Sequence, residues 1–206
     1  MPDVPGSDPL TCAAMSPPFS EPAAPAYLPL SYEALLAPRP LAQVDLLVVH
    51  CTELPDLAMA RQYGEQVRYA AGTGNSGHYY IDRDGSTQCW VAPERIAHHV
   101  RGHNPRSIGV ELVNTGRYPN WLDWDHQAME QPYPAAQIDA LVALIARLQR
   151  QLPALAFITG HEDLDTEQVP ASNDPARTVP RKRDPGPLFP WDEVLAAIAL
   201  ERLPTP

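Results

Sequence analysis

Val44-Asp45-Leu46-Leu47-Val48-Val49-His50-Cys51-Thr52 is the stretch on which the fold turns. A β-branched and leucine-rich run with almost no polar alternation predicts a strand covered on both faces, the kind that lies inside a sheet with helices on either side. The run ends at His50. A histidine where a buried strand gives out stands at the rim of an α/β sheet, where sites assemble.

Reading outward, Thr52 to Asp56 supplies a loop and a helix cap, and Leu57 to Ala70 predicts an amphipathic helix. Gly72-Thr73-Gly74-Asn75-Ser76-Gly77 lacks the Lys-Ser/Thr ending of a phosphate-binding loop and precedes a strand, so it reads as a plain loop. His78 to Ile81 and Thr87 to Val91 are strand-like and joined through Asp84-Gly85, a hairpin signal. A further strand covers Ser107 to Val113. Asn114 to Pro134, rich in Trp, Tyr, Pro and Asp without a period, reads as a long surface loop walling a cleft. Ile138, Leu141, Val142, Ile145 and Leu148 recur at three and four, which predicts a core-facing helix over Pro134 to Gln151. Leu155 to Thr159 is a second strand that delivers a histidine, His161, just past its end. Trp191 to Arg202 predicts a closing helix. Strands interleaved with helices make an α/β fold, a single domain with a central mixed β-sheet flanked by helices.

The bulk numbers agree. With 206 residues, 44% hydrophobic and 19% charged, the chain suits one globular domain. Its 25 Pro gather before residue 41 and between Val169 and Pro190, marking loops and an N-terminal extension over residues 1–43 that is expected to wrap or stay partly disordered. A net charge of −10 argues against nucleic acid or an anionic membrane as partner. Three cysteines, Cys12, Cys51 and Cys89, show no Cys-x-x-Cys spacing and fit free thiols in a reducing compartment. No signal peptide and no apolar run of membrane-spanning length is visible, so a cytoplasmic location is expected, with the periplasm or envelope as the alternative. The oligomeric state is not set by the sequence.

Catalytic zinc takes three protein ligands of the His and carboxylate type and keeps a fourth position for water. His50 and His161 are candidates, although each on its own is equally a hydrogen-bonded core or capping histidine. Arg181-Lys182-Arg183-Asp184-Pro185-Gly186-Pro187 places one acid among three bases in a proline-stiffened turn. There Asp184 could bind a cation and Lys182, two residues earlier, would point to the same side. The competing reading is a solvated basic run. Strand alternation points Cys51 away from His50 and into the core.

Taken together and in order, Val48-Val49-His50-Cys51-Thr52, Gly77-His78-Tyr79-Tyr80-Ile81-Asp82-Arg83-Asp84-Gly85, Ser107-Ile108-Gly109-Val110-Glu111-Leu112, Thr159-Gly160-His161 and Lys182 to Pro187 make a specific pattern. From Val44 to the C-terminal helix the chain resembles the zinc-dependent N-acetylmuramoyl-L-alanine amidases of the AmpD type, relatives of the peptidoglycan-recognition proteins. The resemblance implies one catalytic zinc on His50, His161 and Asp184, with Glu111 as general base and then acid. It implies Lys182 at the oxyanion and His99 near the substrate, a muropeptide or other peptidoglycan fragment. It also implies an amidase acting in wall recycling, the alternative being a module that binds peptidoglycan without cutting it. His98 stands where relatives carry a tryptophan, and Asp165 to Pro180 is longer than compact relatives need. His78, His103 and His126 are read as structural or surface residues.

Overall fold

Every residue of Leu46–Cys51 is buried, and the strand they form has a parallel neighbour on each side. The structure, a computed structural model, describes residues 24–203. Cys12 and the first part of the Pro-rich extension lie outside the described residues. In chain order the elements are β1 (Ala26–Tyr27), β2 (Leu46–Cys51), α1 (Leu57–Gly64), β3 (Tyr79–Ile81), β4 (Thr87–Cys89), β5 (Ser107–Leu112), α2 (Ala135–Gln151), β6 (Phe157–Gly160), α3 (His161–Leu164), β7 (Gln168–Pro170), β8 (Thr178–Pro180), α4 (Trp191–Ala197) and β9 (Glu201–Arg202).

The main sheet has the order β1-β4-β3-β5-β2-β6-β9. Strands β3, β5, β2, β6 and β9 run parallel, while β4 pairs antiparallel with β3 and carries β1 alongside it. The sheet is therefore mixed, as the sequence predicts. Period-two alternation divides its faces. Leu47, Val49, Ile108, Val110, Leu112 and Ile158 pack in one core with Ile138, Leu141, Ile145 and Leu148 of α2 and Val194 of α4. Burying each such side chain is worth about 1.5–3 kcal/mol, which is why the three-and-four spacing of α2 decides its orientation. On the opposite face Leu46 and Val48 meet Val100. Beside them Tyr80, Trp90 and Ala60 pack with Leu30, Tyr32 and Leu36 of the N-terminal segment.

Several boundaries differ from expectation. Helix α1 begins where Asp56 caps it, its carboxylate accepting from Met59 N at 2.7 Å, but it ends at Gly64 rather than near Ala70. There the chain is pinned instead, as the Tyr32 hydroxyl donates to Gly64 O at 2.7 Å. Helix α4 stops at Ala197, because Ile198 turns extended and the chain returns to the sheet as β9. The Asp165 to Pro180 loop contains the antiparallel pair β7 and β8. That hairpin is fastened to the aromatic loop: Ser172 Oγ donates to Asp123 and the Arg177 guanidinium lies 3.6 Å from the Trp124 ring centre.

Candidate metal centre

The parallel register sets His50 of β2 directly beside Glu111 of β5, and β6 hands its next residue, His161, to the same edge. All three leave the carboxyl ends of adjacent parallel strands, the crevice where open α/β sheets bind ligands. Asp184 arrives from a distant segment and is 3% exposed. Its Oδ2 stands 2.9 Å from His50 Nδ1 and 3.0 Å from His161 Nδ1.

His50, His161 and Asp184 are all buried, and their ligand atoms lie within 4.8 Å of one another. Asp184 Oδ1 is also buried and has no hydrogen-bond partner among the described residues. An orphaned carboxylate oxygen in such a place is costly unless a cation satisfies it. Two imidazole nitrogens and a carboxylate are the donor set of a catalytic metal site with an open position, so the group could hold a metal ion.

Electrostatics follow from burial. Desolvation and the neighbouring His161 lower the His50 pKa to about 4, so its ring is neutral at pH 7 and its lone pair is free for a metal. Burial works against the charge of Asp184, but the adjacent His161 and His50 imidazoles, with Lys182 nearby, outweigh it and hold the carboxyl well below the ordinary range. Glu111 is pushed up to about 8, first by burial and then by the Asp184 charge, with Lys182 pulling the other way. A carboxyl of that affinity can both accept and return a proton near neutrality.

These groups line a cleft of about 720 Å³ that also takes in His99, Lys182 and Trp121. Gly77 explains part of the placement. A Cβ there would fall 2.7 Å from Glu111 Cγ, so the glycine-rich stretch before β3 ends in the one residue type that leaves the acid room. Cys51 sits on the other side of β2 from His50, its thiol next to Tyr133 and pushed well above its ordinary value by burial. His78 is fully buried, with Nδ1 accepting from Gly109 N at 3.0 Å. His98 is at the cleft wall, edge-on to Tyr69.

Sequence reasoning missed two groups that build the site's walls. Asp165 lies 4.0 Å from His161 Nε2 and pairs with Arg181. Buried Arg117 donates from Nε and Nη2 to both Glu53 oxygens at 2.7 and 2.9 Å, and from Nη1 to Pro180 O at 2.9 Å. Glu53 and Arg117 are far apart in sequence, so no local pattern announces that pair. For Asp165, its spacing of four from His161 is a signal that could have been used.

Fold and site together define an α/β protein in which two histidines and one aspartate that could hold a metal ion lie at the carboxyl edge of a mixed sheet. The N-acetylmuramoyl-L-alanine amidase family matches residues 40–187, and the chain belongs to that family. It is 30% identical over 168 residues to the Escherichia coli (strain K12) N-acetylmuramoyl-L-alanine amidase AmiD, covering 74% of this chain and 52% of AmiD. It is 32% identical over 127 residues to the Enterobacter cloacae 1,6-anhydro-N-acetylmuramyl-L-alanine amidase AmpD, covering 57% of this chain and 54% of that one. The chain thus spans about half the length of these curated relatives. A crystal structure of a selenomethionine AmpD derivative superposes with a TM-score of 0.61 at 26% identity, over 84% of this chain and 94% of that one. Among the described residues, no helix is long and apolar enough to cross a membrane.

Proposed function

We propose that this protein is a zinc-dependent hydrolase of the amide joining N-acetylmuramic acid, in its 1,6-anhydro form, to L-alanine of a stem peptide, within a catalytic unit over residues 44–203. The observation that carries the reading is the meeting of His50, His161, Asp184, Glu111 and Lys182 in one cleft from four separate stretches of chain. The names of AmiD and AmpD support the choice of bond, and that of AmpD the anhydro sugar.

His50, His161 and Asp184 would hold the zinc. When bound, zinc supplies Lewis-acid polarisation of the scissile carbonyl and activation of water. Glu111 takes the proton of the attacking water and returns it to the leaving amine nitrogen, since expulsion of an unprotonated amide anion is prohibitive. Lys182 brings a cation to the cleft wall, where negative charge grows on the carbonyl oxygen. Arg68 also lines the cleft and offers a cation that suits a peptide bearing carboxylates, whereas Arg101 and Arg181 on the same wall are engaged by Glu167 and Asp165. We place the reaction in cytoplasmic wall recycling; the unpaired thiols of Cys51 and Cys89 support that compartment.

The test is mass spectrometry of an anhydro-muropeptide incubated with the zinc-loaded and the chelated protein. Release of the intact stem peptide by the zinc form alone is expected. Binding without cleavage would make the protein a recognition module, and cleavage that survives chelation would remove the metal from the mechanism.

A further inference from the structure

Strand β5 carries Ser107, Gly109 and Glu111 on one face, and all three serve the site from that side. Glu111 lines the cleft, whereas Ser107 and Gly109 meet His99. A Cβ on Gly109 would lie 2.6 Å from His99 Cγ, so only glycine lets the imidazole pack this close to the strand. Both His99 nitrogens are engaged within the protein: Nδ1 is 3.0 Å from His50 Nε2, and Nε2 is 3.1 Å from Ser107 Oγ.

The direction of these bonds can be read from the far end. Ser107 is fully buried and has one hydroxyl proton, which it donates to His103 O at 2.8 Å. Its oxygen is then free only to accept, so His99 must present Nε2–H to it. A neutral imidazole has a single N–H, which leaves a bare lone pair on His99 Nδ1, facing His50 Nε2. That lone pair is the acceptor a metal-ligating histidine needs for its second nitrogen. His50 Nδ1 is the atom turned toward Asp184.

We propose that His99, with its tautomer set by Ser107, is a positioning residue for the metal site: it accepts the Nε2–H of His50 and so fixes the Nδ1 of His50 as ligand. The usual outer partner of a ligating histidine is a carboxylate or a carbonyl. Here a neutral imidazole takes that place, which holds the ring without adding a second negative charge beside Asp184. The inference rests on the metal-site reading above and adds to it. It gives His99 a task that requires no substrate.

Long-range 15N–1H correlation NMR of the zinc-loaded wild-type protein reads the tautomer directly. His99 should carry its proton on Nε2 alone; a proton on Nδ1 would overturn the proposal whatever the variants do. Zinc affinity, measured by competition with a chromophoric chelator, gives the second readout. His99→Leu should weaken zinc about 10- to 100-fold, as loss of such an outer partner does. His99→Asn, whose Oδ1 stands near the place of Nδ1, should recover most of that loss. Ser107→Ala should weaken zinc about 2- to 10-fold, the value of one net hydrogen bond. Melting of the metal-free variants checks that the fold is kept. Wild-type zinc affinity in His99→Leu, or equal weakness in Leu and Asn variants, would refute the positioning role. Failure of the wild type to bind zinc would instead refute the metal site itself.

Discussion

Replacing Arg117 with methionine would test how the cleft wall is held. Arg117 is 1% exposed and Glu53 7%, and the fork of the guanidinium meets both carboxylate oxygens. The same side chain reaches Gln127 Oε1 at 3.1 Å and Pro180 O at 2.9 Å. It thereby ties the end of β2, the aromatic loop and the segment leading to Lys182 into one unit. Arg117→Met leaves a buried carboxylate without its cation, which costs about 3–5 kcal/mol. For a chain of this size, that corresponds to a melting temperature lower by roughly 6–20 °C. Urea unfolding of the metal-free protein measures it. The double variant Glu53→Met/Arg117→Met removes both charges and should be more stable than Arg117→Met alone, since a buried pair replaced by apolar groups is often nearly neutral. A single variant within about 1 kcal/mol of wild type, or a double variant that simply adds two losses, would show that Glu53 does not depend on Arg117 for its charge compensation.

Other outcomes follow from the site. Lys182→Met should retain zinc and lose roughly 100- to 1,000-fold in kcat, as removal of one oxyanion-stabilising group does; steady-state kinetics on a muropeptide check it. Gly77→Ala should push Glu111 off its place and reduce kcat roughly 10- to 100-fold, with zinc content unchanged by elemental analysis. Glu111→Gln should keep zinc and lose turnover, whereas Asp184→Ala should lose zinc on dialysis, both read by the same two assays. Leu141→Ala, at a fully buried position on α2, should destabilise by about 2–5 kcal/mol in urea without altering zinc affinity.

Much of the fold was legible because the relevant signals are local. The two-faced burial of β2, the alternation of β5 and the three-and-four spacing of α2 each need only neighbouring residues. The edge strands β1 and β9 have two residues each, too few to show any period. In the β7–β8 hairpin, Pro170 and Pro180 sit within the strands themselves, and only Val179 is buried, so the composition reads as loop. Helix α1 ends early because Tyr32, thirty-two residues upstream, takes the carbonyl of Gly64, a contact that propensity cannot foresee. The candidate site divides in the same way. His50 and His161 could be picked out from strand ends, and Asp184 from its odd place among bases. Nothing in the sequence showed that Glu53 would meet Arg117. The partnership of His99 with Ser107 was half visible, because Ser107, Gly109 and Glu111 share a face by alternation, but the loop that brings His99 across to that face has no periodic signature.

The claim that His50, His161 and Asp184 together hold one zinc ion is tested most directly by zinc-edge X-ray absorption on the loaded protein. The expected spectrum shows a shell of imidazole nitrogen and oxygen at about 2.0–2.2 Å, fitted with two imidazoles, and no sulfur. A sulfur shell at about 2.3 Å would assign a ligand to Cys51, and a fit needing only one imidazole would remove His50 or His161; either would contradict it.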